Sequence, residues 1–386
     1  MISSIRLPWP WLLATGTAAP PAAVPLSADA RIAALDGLRG VLAMTVVISH
    51  YFGEVANGVA GLMLGWIAVK VFFVLSGFLM ARIILENFQA GNFFQVFFAR
   101  RLCRTLPAYL VTICAVFVCA SAFRGTNWME SDRLMPLWSY LTFTQPFVMI
   151  ARGDFGSHWL IPTWTLTVEE QFYLLAPVMC LVVPRRYLLQ AVLLGIVLSI
   201  GFRAWIYGTG ALPPMAALVT LPGACHSMFM GMAAALLLRS ASLDWTRLDP
   251  LLRVAPVLLL AIVLALKTFD SPAGNLFDIA GVPLVSLAGA IYLMAIVRGS
   301  PEGQRFENDC LRSLGTLSYS LYLMHMPILG LLHGLILGGR PDIATTAQLA
   351  ITILAVPVAL ATAYASARWI EQPMIAYGRT WRWQRT

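Results

Sequence analysis

Along most of this chain, apolar residues run for about 20 positions before a polar cluster interrupts them, the length at which a helix crosses the hydrocarbon core of a bilayer. These runs predict ten membrane-spanning helices, at residues 35–54, 60–82, 104–123, 163–183, 187–207, 214–238, 252–270, 278–297, 313–337 and 346–368. The first of them organises the rest. Residues 31–51, RIAALDGLRGVLAMTVVISHY, carry Asp36, Arg39 and His50 on an otherwise apolar helix, where ionisable groups are costly. At 100° per residue, the steps from Arg39 to His50 return the side chain to within about 20° of the same face, roughly 16 Å further along the axis. Asp36, Arg39, Ala43, Val47 and His50 therefore form one stripe. With Arg39 at a membrane surface, His50 lies near the middle of the hydrocarbon.

Composition agrees with this pattern and excludes a soluble protein: of 386 residues, 59% are hydrophobic and 11% charged, with a mean hydropathy of +0.77. The fold class expected is an all-α integral membrane bundle. The net charge of +8 is compatible either with nucleic acid or with cytoplasmic loops beside anionic lipid, and its placement decides. Arginines gather before the first span (Arg6, Arg31, Arg39), between the second and third (Arg82, Arg100, Arg101, Arg104), and after the fourth, sixth, eighth and tenth. This is the positive-inside pattern of a chain with both termini in the cytoplasm, so the expected surroundings are membrane lipid and no nucleic acid. The six cysteines show neither a close CxxC pair nor a histidine at zinc-ligand spacing, and predict no disulfide and no metal. The expected division is a flexible cytoplasmic tail at 1–30, with a signal peptide as the minority reading, a membrane domain at 31–373 and a basic cytoplasmic tail at 374–386. The long connection 124–162 carries Trp128, Trp138 and Trp159, which suit either a sugar-like acceptor or ordinary interfacial anchoring.

Helix rise then compares depths. His50 lies roughly 16 Å above Arg39, His325 about 19 Å above Arg312 and Lys70 roughly 18 Å above Arg82, while Glu169 and Glu170 enter from the other side, some 9–10 Å below Thr163. Singly, each is as well explained by a hydrogen bond or ion pair within the bundle; together they predict one polar mid-membrane chamber. Arg101 and Arg104 stand three apart at a helix end beside Arg100. Guanidinium forks suit a phosphorylated ligand from the cytosol, although the positive-inside rule alone would also supply these charges.

Six motifs in register carry a family resemblance: RIAALDGLRG leading to His50, FFVLSGFL at 72–79, RRLCRTLPAY at 100–109, PTWTLTVEEQFYLLAP at 162–177, LGTLSYSLYLMHMPI at 314–328 and WIEQP at 369–373. The chain resembles the acyltransferase-3 family of membrane O-acyltransferases over nearly its whole length. The resemblance implies a ten-helix bacterial inner-membrane enzyme with no permanently bound cofactor. Such an enzyme takes an acyl group from cytoplasmic acyl-CoA, acetyl-CoA being the expected donor, and places it on a hydroxyl of an extracytoplasmic polysaccharide or glycoconjugate. Matched to this sequence, the family's motifs fall on Arg39 and His50, on Arg101 and Arg104, on Ser76, Gly77 and Phe78, and on Glu169 and Glu170; with the depth comparison, catalysis is expected of His50, Glu169, Glu170 and His325, acyl-CoA binding of Arg39, Arg101, Arg104, Ser76 and Lys70, and orienting roles of Asp36, Gly77 and Glu371. Within it, His50 is the expected general base, or the carrier of an acyl-histidine relay, with Glu169 or Glu170 orienting the imidazole and His325 the alternative base. Lys70 departs from the family pattern, and pairing with Glu169 or Glu170, or an anionic acyl group such as succinyl, would account for it. Many members carry a further SGNH domain after the last helix; this chain stops at Thr386, so the membrane domain is expected either to act alone or to pass its acyl group to a separate periplasmic acyl-accepting protein. The rival functions are acylation of a small secondary metabolite such as a macrolide, and solute or proton transport, which would call for inverted halves that the polar positions do not show.

Overall fold

Small residues decide which of the helices touch. The computed structural model describes residues 32–240, 242–270 and 274–384, so the expected tail at 1–30 lies outside the described residues. The helices are α1 (Ala33–Ile48), ending in a π-helical turn at Ser49–Gly53, α2 (Gly65–Asn87), α3 (Phe93–Ala122), the short α4 (Leu137–Leu141) and α5 (Gln145–Arg152), and α6 (Thr163–Val182). They continue with α7 (Leu188–Thr209), the short α8 (Ala216–Val219), α9 (Leu221–Leu237), α10 (Trp245–Phe269), α11 (Val282–Val297) and the short α12 (Pro301–Gln304). Last come α13 (Asp309–Leu337), α14 (Thr346–Ser366) and, after a π-helical turn, α15 (Gln372–Thr380). Among the described residues, 10 helical stretches are long and apolar enough to cross a membrane, and each coincides with an expected span.

Two seams set the bundle's core. Where α1 crosses α13, a Cβ on Gly40 would lie 2.3 Å from the Leu311 carbonyl oxygen, and one on Gly315 only 1.9 Å from that of Asp36. Where α2 crosses α9, a Cβ on Gly77 would lie 1.9 Å from the Met228 carbonyl oxygen and one on Gly231 1.9 Å from that of Val74. Only hydrogen fits at such approaches, and in a membrane, close backbone packing supplies much of the attraction between helices. Gly77, for which an orienting role is expected, lies at this backbone contact. α7, α10 and α14 bury the smallest shares of their length and face outward. Arg203 fastens α7 by donating to the carbonyls of Ala217 (2.5 Å), Gly223 (3.2 Å) and Asp278 (2.5 Å).

The third span differs from expectation in its start. It begins at Phe93, not near 104, because helix formation does not end where hydropathy falls. Arg100, Arg101 and Arg104 therefore sit inside α3, about two turns or more from its first residue, rather than at its end. The connection 124–162 folds back into the bundle: Gln145 is fully buried and donates to the Thr163 carbonyl (3.1 Å), and Gln171 donates to that of Phe143 (3.1 Å). Non-helical backbone is tolerated there because protein surrounds it. Trp128 and Trp159 are buried, their rings stacked 6.1 Å apart against Gly334 and Gly330 of α13. They serve packing; Trp138, 57% exposed, is left to the interface. Glu130 closes this layer, accepting from His158 Nδ1 (2.7 Å) and pairing with Arg133 (3.2 Å) and Arg340 (3.0 Å). Burial alone would push its carboxyl up, but the His158 hydrogen bonds and charge, with Arg340, hold it down at about 2.

Candidate active site

Three arginines from two helices converge on one cavity between α1, α2, α3, α6 and α13, with about 680 Å³ of empty space including its open part. Arg39 comes from α1, and Arg101 and Arg104 from α3, close enough for each to act on the charge of the others. Among the described residues, none of the three has a carboxylate within ion-pair distance. Glu169 of α6, which shares the cavity, is occupied otherwise: its Oε1 accepts from the Ser76 hydroxyl (2.6 Å) and its Oε2 from that of Tyr173 (3.1 Å). Arg101 lies over the Tyr173 ring, 4.3 Å from its centroid. Glu170 faces Arg101 and Thr105. Tyr319 donates to the Thr105 carbonyl (2.6 Å), tying α13 to α3 beside the arginines. Below them Ser320 donates to Ser366 (2.7 Å) and lies against Glu371, joining α13 to the turn before α15. A site lined by several guanidiniums and few competing carboxylates suits a ligand bearing several phosphate charges.

The cavity closes at Tyr322. Its hydroxyl meets that of Thr165 (2.8 Å), and its ring lies 6.5 Å from that of Phe72. One turn beyond, the rings of His50 and His325 lie nearly coplanar at 3°, with Nδ1 of His50 2.7 Å from Nε2 of His325. Their tautomers follow from the neighbours. His325 Nδ1 faces the carbonyls of Tyr322 (2.8 Å) and Leu321 (3.1 Å), which only accept, so this nitrogen carries the hydrogen. In a neutral ring its Nε2 must then accept, His50 Nδ1 must donate, and His50 Nε2 keeps a free lone pair. Tyr51 holds the pair from behind, donating to the His325 carbonyl (2.7 Å). His50 is the second residue of the π-helical turn that ends the first span, an irregularity frequent at functional sites.

A sequence model described as an acyltransferase domain matches residues 32–367, which span all the helices named in this site. The chain belongs to the acyltransferase-3 family. It is 27% identical over 366 residues to the peptidoglycan O-acetyltransferase OatA of Listeria monocytogenes, covering 89% of this chain and 56% of that one. It is 28% identical over 316 residues to YrhL of Bacillus subtilis, provisionally named a peptidoglycan O-acetyltransferase, covering 77% and 48%. A Staphylococcus aureus protein provisionally named an O-acetyltransferase matches at 25% over 364 residues, covering 89% and 57%. The chain thus spans about half the length of the curated relatives it matches. No solved structure matches it.

Within this acyltransferase domain the expected single chamber is divided in three. Arg39, Ser76, Arg101, Arg104 and Glu169 share the cavity, His50 and His325 lie beyond Tyr322, and Lys70 belongs to neither. Lying about 120° around α2 from Ser76, Lys70 falls on the side of Val74 and Gly77, the face packed on α9. It is 2% exposed, 5.6 Å from the Phe73 ring centroid, and neither pairs with Glu169 or Glu170 nor reaches the cavity. Neither Glu169, bound to Ser76 and Tyr173, nor Glu170, facing Arg101 and Thr105, is the hydrogen-bond partner of His50; that partner is His325. Serving as that partner leaves His325, fully buried, no nitrogen for an acceptor, which removes it as alternative base. Asp36 is buried beside the α1–α13 crossing, near enough to act on Arg39. Sequence reasoning missed Tyr173, Tyr319 and Tyr322, which repeat at helical spacing within motifs otherwise read as apolar, and it missed Glu54, four residues after His50.

Proposed function

We propose that this chain is an O-acyltransferase that moves an acyl group, acetyl being the expected one, from cytoplasmic acyl-CoA to a hydroxyl of an extracytoplasmic glycan. It sits in the inner membrane of a bacterium with both termini in the cytoplasm. Peptidoglycan, the acceptor in the relatives' names, is the first acceptor to test. The observation that carries the reading is the order of groups: the guanidiniums of α1 and α3 in the cavity, without a carboxylate at ion-pair distance among the described residues, then Tyr322, then an imidazole whose free lone pair is set by its neighbour. Arg39, Arg101 and Arg104 hold the CoA phosphates, and the pantetheine arm carries the thioester past Tyr322 toward His50. His50 Nε2 takes the acceptor hydroxyl's proton as that oxygen attacks the thioester carbonyl. The C–O bond forms, the C–S bond breaks, and His50 returns the proton to the thiolate, leaving ester and free CoA.

The test uses the full chain in proteoliposomes with labelled acetyl-CoA and a soluble peptidoglycan fragment outside. His50→Ala is expected to bind CoA as the parent does and to transfer about 10²–10⁴-fold more slowly, the usual loss on removing a general base. Near-normal transfer by folded His50→Ala protein would end this reading. Label trapped on His50 without acceptor would replace direct attack by an acyl-histidine relay.

A further inference from the structure

We infer that Glu54 is a positioning residue for His50, one whose carboxylate favours the imidazolium formed during transfer over the neutral ring that precedes it. The inference rests on His50 acting as the base. Glu54 Oε2 lies 3.5 Å from His50 Nε2, the nitrogen left with a lone pair by the tautomer assignment. In the neutral ring neither of these two atoms carries a hydrogen, and no hydrogen bond forms between them. Once Nε2 carries the acceptor's proton, the ring is an imidazolium and the carboxylate attracts it across this contact. An interaction absent in the ground state and present as charge develops is one that accelerates the step.

The local structure holds Glu54 for this purpose. Its backbone N–H donates to the Ser49 carbonyl (2.8 Å), closing the π-helical turn, and the Ser49 hydroxyl donates to its Oε1 (2.7 Å). Oε1 is thereby occupied and Oε2 is turned to His50. The start of α2 leaves room for this pair only because residue 65 is glycine: a Cβ there would lie 2.9 Å from Ser49 Oγ and 3.4 Å from Glu54 Oε1. The other titratable groups facing His50 and Glu54 are His325 and Tyr322 from α13 and Tyr51 from the same turn, while α2 presents Gly65. Among the described residues Glu54 is the carboxylate that acts on His50, and with 38% of its side chain exposed it is the less buried of the two. The proton never leaves the His50–acceptor–thiolate set, and none passes to Glu54.

The test compares parent, Glu54→Gln, Glu54→Asp and His50→Ala for acetyl transfer across pH in proteoliposomes, with CoA binding as the control for folding. Glu54→Gln is expected to lower kcat about 10–10³-fold with KM for acetyl-CoA unchanged. It should also displace the acid limb of the kcat profile, because the charge beside the ring that takes up the proton has been removed. Glu54→Asp keeps the charge and should restore part of the rate and the limb's position; if the Gln variant fails to fold, the Asp profile alone decides, a limb displaced as far as an uncharged neighbour would move it counting against the proposal. In a His50→Ala background, Glu54→Gln should cost nothing further, whereas a general structural role would lower the residual rate as well. An unchanged rate and profile in Glu54→Gln, or a loss with the acid limb unmoved, would overturn the role of Glu54 while leaving His50 as base. Normal transfer by His50→Ala would instead overturn the reading on which it rests.

Discussion

His325 offers the sharpest test of the tautomer assignment, because it touches neither the cavity nor, on this geometry, the acceptor. Replacing it by Ala removes the acceptor for His50 Nδ1–H, now held at 2.7 Å, and leaves that donor half-buried without its partner. An unsatisfied buried donor costs about 1–3 kcal/mol, so the ring is driven toward the other tautomer or another rotamer by roughly 5- to 150-fold in population. With the hydrogen moved to Nε2 the base is lost outright, and in a Ser-His-Asp triad the wrong tautomer costs about 10⁴-fold in kcat. Between these limits, a fall of about 10²–10³-fold in kcat is expected for His325→Ala, with CoA affinity unchanged because Arg39, Arg101 and Arg104 lie on the far side of Tyr322. His325→Gln, whose amide oxygen can accept from His50, should recover part of the loss. The assay is single-turnover transfer of labelled acetyl with calorimetric CoA binding on the same preparation. Transfer within about 3-fold of the parent by a folded His325→Ala protein would refute the assignment, as would a loss explained by equally weakened CoA binding.

Three further outcomes are expected. Arg101→Ala with Arg104→Ala should weaken acetyl-CoA binding about 10–100-fold and reduce its salt dependence, and Lys at both positions should rescue poorly because fork geometry is lost; unchanged binding by calorimetry would remove the phosphate role. Gly77→Leu, whose Cβ would meet the Met228 carbonyl at 1.9 Å, should cost about 1–3 kcal/mol and lower the unfolding temperature in detergent, whereas Gly61→Leu, with nothing within 4 Å, should not. Glu130 has its carboxyl lowered to about 2 from an ordinary 4.5, so its contribution to stability is present above the ordinary value and is lost as pH falls from there toward 2. Glu130→Gln should therefore be less stable than the parent near neutral pH and should lose less stability over that window, read as unfolding temperature against pH.

The features legible in the sequence are those a single helix settles for itself. Spanning length depends on local hydropathy, so all ten spans were visible; helical period depends only on spacing, so Arg39 and His50 were correctly put on one face, both meeting α13. The start of α3 was not legible, because hydropathy ends at Arg104 while the backbone continues helical back to Phe93, its arginines turned to a polar interior. How each helix is rotated toward its neighbours was decided only by tertiary packing. Lys70 shares its depth with the cavity yet faces α9, because Gly77 and Gly231 bring those backbones into contact on that side. His50 meets His325 across 275 residues of chain because Gly40 and Gly315 let α1 and α13 approach. A helix's own sequence marks its polar positions, but the partner each finds depends on interhelical contacts, which act between segments that no local pattern relates.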